Sequence, residues 1–140
     1  MANTFKLEVI TPERLFYEGD VEMVIVRTMV GYEGFLANHA WACKLLGTGI
    51  MRIKEPGQKD FKVAATTGGF IDVKDRVTIF VDAAEWPEEI DLERAQQKLE
   101  ESQSRLKHGC CDEREMKLLK HSIEKAINRV KLKSGQIGKY

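Results

Sequence analysis

The chain has 140 residues, 43% of them hydrophobic and 31% charged, enough apolar content for one ordinary domain or two small ones. Its formal net charge is zero, so no global field draws it to nucleic acid or to an anionic membrane. Three cysteines, Cys43 and the adjacent Cys110 and Cys111, form no pairable framework and, with no leader-like start, point to a reducing compartment.

Thr4 to Ile10 alternates, with Phe5, Leu7 and Val9 on one face and Lys6 and Glu8 on the other, which predicts a half-buried strand. Thr11-Pro12-Glu13 turns the chain, Leu15-Phe16-Tyr17 reads as a short strand, and Glu18-Gly19-Asp20 as a second turn. Val21 to Thr28, rich in Val, Ile and Met, reads as a central strand. Gly31 to Ala40 is loop-like and bracketed by glycines. Trp41–Leu46 and Ile50–Lys54 read as strands around Gly47-Thr48-Gly49, and Glu55-Pro56-Gly57-Gln58 has the residues of a hairpin turn. Phe61–Thr66, Phe70–Val73 and Val77–Asp82 complete about eight to ten short strands with no helix between them, the pattern of a sandwich or flattened barrel.

Around Ala83 to Ala95 the chain changes character. Pro87 ends the last β-like run because it donates no ladder hydrogen bond. Asp91 then offers a carboxylate to the free N–H groups of a helix over Leu92–Lys107, where Ala95, Leu99, Ser102 and Leu106 make a thin stripe. His108-Gly109 stops it. Asp112 followed by Glu115 is close to a capping box and opens a second helix, whose stripe is Met116, Leu119, Ile123, Ala126, Ile127 and Val130. Two helices joined so closely should fold back as an antiparallel hairpin, marginal without a partner surface. The expectation is an α+β chain: an all-β sandwich over residues 1–86, then an antiparallel two-helix hairpin over 87–140. From Met116 onward Lys117, Lys120, Lys125, Arg129, Lys131, Lys133 and Lys139 face one acid, Glu124, so the second helix is a cationic rod.

Chemistry is mostly absent from the sequence. There is no GxxxxGK(S/T) loop, no GxGxxG after a strand and no HExxH. Gly68-Gly69 opens no helix and reads as positive-φ backbone at a turn or bulge rather than a phosphate cradle. His108, Cys110, Cys111 and His121 match no zinc spacing, so no metal is expected. His39 and Cys43 lack an orienting acid nearby. Glu85, Glu88, Glu89 and Asp91 suit a solvated helix entrance. No apolar run approaches the roughly 18 residues needed to cross a bilayer.

The run Phe5-Lys6-Leu7-Glu8-Val9-Ile10-Thr11-Pro12-Glu13-Arg14, then Tyr17-Glu18-Gly19 and Val21-Glu22-Met23, resembles the epsilon-subunit family of bacterial F-type ATP synthases. So do Gly34-Phe35-Leu36-Ala37-Asn38-His39-Ala40, Gly68-Gly69-Phe70 and Asp82-Ala83-Ala84-Glu85-Trp86-Pro87-Glu88-Glu89-Ile90-Asp91, in order over the whole chain. The resemblance implies a ten-stranded sandwich of two five-stranded sheets ahead of the hairpin. It also implies a non-catalytic central-stalk (rotor) subunit of a proton- or sodium-coupled enzyme, soluble and monomeric in isolation. Its implied partners are the gamma subunit, the c ring and, when the hairpin is raised to inhibit ATP hydrolysis, the catalytic alpha and beta subunits. The implied location is the cytoplasmic face of the bacterial plasma membrane, reached through the complex.

The resemblance places Tyr32, Glu33 and His39 at the gamma and c-ring contact, although Gly31-Tyr32-Glu33-Gly34 stands where the family usually has Gly-Glu-Leu-Gly. Ala37 and Trp41 stand where it often has prolines. No cofactor is required; regulatory ATP is implied by Ile90-Asp91-Leu92-Glu93-Arg94-Ala95, which matches the Ile-Asp-x-x-Arg-Ala motif of ATP-binding members. Asp91 and Arg94 with Lys125 and Arg129 are the expected set. Glu101 and Leu118 occupy places where those members carry arginines, which weakens phosphate binding. The other reading leaves Asp91 as a helix cap and Arg94 paired with a nearby acid. Two further function classes stand beside the rotor subunit: a stand-alone ATP-sensing module, which predicts tight nucleotide binding without a partner, and a small hydrolase, which predicts a cleft with a perturbed nucleophile.

Overall fold

The computed structural model describes residues 3–109 and 112–135, so Cys110, Cys111 and Lys139 lie outside the described residues. The strands are β1 (Phe5–Ile10), β2 (Leu15–Val21), β3 (Met23–Thr28), β4 (Gly31–Leu36), β5 (Ala42–Leu46), β6 (Gly49–Lys54), β7 (Lys62–Thr66), β8 (Gly69–Val73), β9 (Val77–Val81) and β10 (Ala84–Glu85). A 3₁₀ turn over Pro87–Glu89 leads to α1 (Leu92–Lys107) and α2 (Glu113–Ser134). The chain divides into two compact units, Met1–Trp86 and Pro87–Tyr140.

In the first unit β10, β7, β6, β3 and β4 are neighbours in one layer, and β5, β8, β9, β1 and β2 in the other. Within the hydrogen-bonded ladder one residue pair, Thr28 with Leu46, joins the two layers into a continuous ten-stranded sheet. The sandwich is therefore also a partly closed barrel. The chain changes layer at Glu22, whose N–H donates to the Lys54 carbonyl, and again at Gly47, whose N–H donates to the Arg27 carbonyl. All pairings are antiparallel except β1 with β9. Alternate residues of both layers meet in one core, with Leu7, Val9, Ile71 and Ile79 from one side and Val24, Phe35, Met51 and Ile53 from the other. Each such side chain, almost wholly buried, contributes about 1.5–3 kcal/mol to folding.

Three local expectations need correction. Residues 31–36 form β4, paired to β3 along its length, and not a loop; the glycines obscured the alternation that buries Phe35. Glu18-Gly19-Asp20 is not a turn but the middle of β2, with Gly19 opposite Leu7. Gly68 and Gly69 are not positive-φ residues. Gly69 is required because a Cβ there would lie 1.8 Å from the Phe80 carbonyl oxygen, so the neighbouring backbone leaves no room.

The second unit follows the capping chemistry closely. Asp91 caps α1 by accepting from the Arg94 N–H at 3.2 Å, and Asp112 caps α2 by accepting from the Glu115 N–H at 2.9 Å. Each cap stabilises its helix by about 1 kcal/mol. Gly109 (φ +63°) follows α1, and Gly135 (φ +76°) ends α2 in the left-handed conformation that glycine tolerates. The helices pack along each other as a hairpin. Ala95 and Ser102 are the buried residues of α1, and Leu119, Ala126 and Leu132 those of α2. Leu132 was not part of the expected stripe, whereas Met116 at its start is exposed. Lys133 donates to the Pro87 carbonyl at 2.9 Å, tying the end of α2 to the 3₁₀ turn.

Candidate functional site

The register of the second layer sets five apolar side chains in a row across its outer face. Leu45 of β5 lies opposite Phe70 of β8, Phe70 opposite Phe80 of β9, Phe80 beside Ile10 of β1, and Ile10 opposite Leu15 of β2. Leu45 is 65% exposed, Leu15 52%, Phe70 39% and Phe80 37%. The two phenyl rings stack with centroids 4.9 Å apart. Beside them Ile10, Pro12, Gly69 and Val81 help line a shallow hollow of about 310 Å³. An apolar row that crosses every strand of a layer and stays partly exposed has the make-up of a docking face, unlike apolar residues scattered singly.

Sequence reasoning missed this row, although a signal for it exists. Each of the five strands carries an adjacent apolar pair: Val9-Ile10, Leu15-Phe16, Leu45-Leu46, Phe70-Ile71 and Phe80-Val81. Since neighbouring strand residues point to opposite faces, one member of a pair fills the core and the other faces out.

Tyr32 and Glu33 are consecutive in β4 and so project to opposite faces. The Tyr32 hydroxyl accepts the Ile50 N–H at 3.0 Å, and the Arg52 guanidinium lies 5.6 Å from the ring centre. Glu33 is held on the other face. The Lys44 ammonium donates to it at 2.6 Å and the Thr28 hydroxyl at 2.5 Å. These bonds, the Lys44 one foremost, hold its carboxyl below the usual carboxylate range. The same Thr28 hydroxyl accepts the Val30 N–H and shares its one proton between Glu33 and the Gly31 carbonyl, 3.0 Å away, bracing a turn whose tip residues Met29 and Val30 stand in solvent. His39 follows β4; its ring lies 4.8 Å from Phe35 and its Nδ1 donates to the Ala40 carbonyl at 2.7 Å. Asn38 takes the left-handed conformation, φ +64°.

The Glu33 bonds give a pH prediction. A carboxyl whose folded pKa is depressed contributes stability above its unfolded pKa, and that contribution is lost as pH falls through the folded value. Acid titration from about pH 5 toward pH 3 should therefore destabilise the wild type more than Glu33→Gln. Parallel stability–pH curves for the two proteins would show that the Glu33 bonds do not persist in solution.

In the helical unit Asp91 and Arg94 are exposed at the start of α1, while Lys125 and Arg129 are half-buried on α2. The Asp91 carboxylate is already in use as the cap, and Arg129 is already partnered. Among the described residues no group of three His, Cys, Asp or Glu side chains could hold a metal, and no helix is long and apolar enough to cross a membrane. A sandwich whose distinguishing feature is a wet apolar face, joined to a short helical hairpin, defines a docking subunit of a larger assembly.

The comparisons place that assembly. Residues 4–87 match the family described as ATP synthase, Delta/Epsilon chain, beta-sandwich domain. A protein of Caldanaerobacter subterraneus called ATP synthase epsilon chain is 42% identical over 136 residues, covering 96% of each chain. Its namesake in Caldicellulosiruptor bescii is 40% identical over 129 residues, 91% of this chain and 92% of that one. A chain in the cryo-EM structure of the Euglena gracilis mitochondrial ATP synthase, OSCP/F1/c-ring, superposes with a TM-score of 0.79 at 25% identity, covering 96% of this chain and 82% of that one. The chain belongs to the ATP synthase delta/epsilon chain family and is a non-catalytic subunit, not an enzyme.

Proposed function

We propose that the chain is the central-stalk rotor subunit of a proton- or sodium-coupled F-type ATP synthase. In this role it links the catalytic head to the c ring and restrains ATP hydrolysis through its helical hairpin. The observation that carries the docking role is the exposed row Leu45–Phe70–Phe80–Ile10–Leu15, which we assign to the gamma subunit. Tyr32, Glu33 and His39, with the Met29-Val30 turn, are assigned to the contact with the c ring. The complex then sits on the cytoplasmic face of the bacterial plasma membrane, and this chain reaches the membrane only through it. The hairpin's weak apolar face and cationic α2 favour a mobile element that meets acidic surface on the alpha and beta subunits.

The test of the brake is ATPase activity of a bacterial catalytic head reconstituted with the full chain or with a chain ending at Trp86. Stronger inhibition by the full chain is expected. Equal activity in both would remove regulation and leave a coupling foot.

ATP is assigned as a regulatory ligand at Asp91, Arg94, Lys125 and Arg129, and a weak one because Glu101 and Leu118 supply no phosphate contact. At an ATP concentration equal to the dissociation constant, the melting temperature should rise by about 1–2 °C. Arg94→Ala should abolish the rise. A melting temperature unmoved by millimolar ATP would dismiss nucleotide sensing here.

A further inference from the structure

The ladder runs from β10 at one end to β2 at the other, and no strand pairing joins these two edges. Side chains fill that seam instead. Trp86, directly after β10, stacks on Phe16 of β2 with ring centres 4.3 Å apart and meets Tyr17 edge-on at 6.2 Å. In a regular strand Phe16 and Tyr17 would point to opposite faces. Here Val9 pairs with Tyr17 and Ile10 with Leu15, so Phe16 is the extra residue of a bulge. The bulge re-aims it, and both rings reach the same tryptophan.

Polar groups lock the stack from outside. The Lys62 ammonium lies 5.6 Å from the Trp86 ring centre and 5.8 Å from that of Tyr17. It also approaches Glu55 at 3.5 Å, and Glu55 accepts the Tyr17 hydroxyl proton at 3.0 Å. Burial, reinforced by Glu55, keeps that phenol protonated and donating. The strand so held is short. β10 has two residues, Ala84 and Glu85, paired to Thr66 and Ala65, too few to resist fraying alone.

We propose that the Trp86 stack is a clamp. It closes the β2/β10 seam and confines the swivel between sandwich and hairpin to the residues from Pro87 to Asp91. Without it β10 peels away and the swivel gains three residues, which lets the hairpin sample more positions. The clamp stands on the geometry; its effect on regulation rests on the proposed braking function.

The experiment is amide hydrogen exchange on the full chain, comparing wild type with Trp86→Ala and Trp86→Phe. In the wild type the segment from Ala84 to Trp86 should exchange at least about tenfold more slowly than Glu88 and Glu89. Trp86→Ala should raise exchange about tenfold at Ala84–Trp86 and Ala65–Thr66, while β1, β3 and β8 stay protected. Trp86→Phe, which keeps a stacked ring, should restore most of the protection. Unchanged exchange at β10 in Trp86→Ala would overturn the clamp, and so would a uniform rise across all strands, which marks a merely stabilising residue. The same variants are then added to the catalytic head. If β10 loosens while inhibition stays at the wild-type level, the clamp stands and its link to the brake is overturned.

Discussion

Gly69→Ala is expected to destabilise the protein by about 3 kcal/mol or more, a large share of the roughly 5–15 kcal/mol that holds a domain folded. A Cβ at this position would sit 1.8 Å from the Phe80 oxygen and 2.8 Å from both the Phe80 carbonyl carbon and the Val81 Cα. All three are backbone atoms in the paired strand, so no rotamer change relieves the contact. The pairing of Gly69 with Val81 would have to open, and with it the alignment of Phe70 opposite Phe80. Gly68 is the control, since its added Cβ meets only the Leu46 oxygen at 3.4 Å. Urea unfolding midpoints of the two variants decide the matter. If Gly69→Ala falls within about 1 kcal/mol of wild type, the backbone approach is looser in solution than the structure has it.

The second large effect is on binding. Phe70→Asp with Phe80→Asp should weaken association with the gamma subunit by at least about 100-fold, because charge replaces the aromatic centre of the docking row. Both side chains already stand more than a third exposed, so their removal leaves the core intact. The stability cost adds the stacking contribution of about 0.5–1.5 kcal/mol to the lost burial of two rings and the repulsion of two carboxylates set opposite each other, so the urea midpoint of the variant is read before the titration to show that it is folded. Leu36→Asp is the matched control: Leu36 is 53% exposed in β4, on the other layer. Calorimetric titration with the purified gamma subunit reads wild type, the double variant and the control alike. Near-normal affinity in the Phe70/Phe80 variant would move the gamma contact elsewhere.

How much of this could be read from residues alone depends on the range of the physics involved. Helix starts were legible to the residue, because Asp91 and Asp112 act on N–H groups within the same turn. The strands with clean alternation, such as β1 and β9, were found nearly whole. β4 was lost because Gly31 and Gly34 dilute a pattern that only pairing with β3 completes. The central glycine of β2 misled in the same way, since its place opposite Leu7 is set by the neighbouring strand. The docking row escaped for a stronger reason. Its members are dispersed from Ile10 to Phe80: the adjacent apolar pairs mark which residues can face out, but only register joins them into one surface, and the pairs do not encode register. Conversely, resemblance led to Tyr32, Glu33 and His39, but not to the partners that separate the first two: Arg52 on one face, Lys44 and Thr28 on the other.

The parallel pairing of β1 with β9 bears on how the protein is made. It sets Leu7 beside Val77 and Val9 beside Ile79, so β1, once synthesised, waits for one of the later strands of its unit. Until then β1 and β2 can form a local hairpin, but Phe5, Leu7 and Val9 have no inner surface to cover them. Such long-range pairing slows folding and lengthens the exposure of sticky surface. A chaperone acting on this nascent chain would find its binding stretch in β1, and would be released once Val77–Val81 has been synthesised. The helical hairpin, translated after the sandwich, is therefore added to a unit whose closing strand has only just become available.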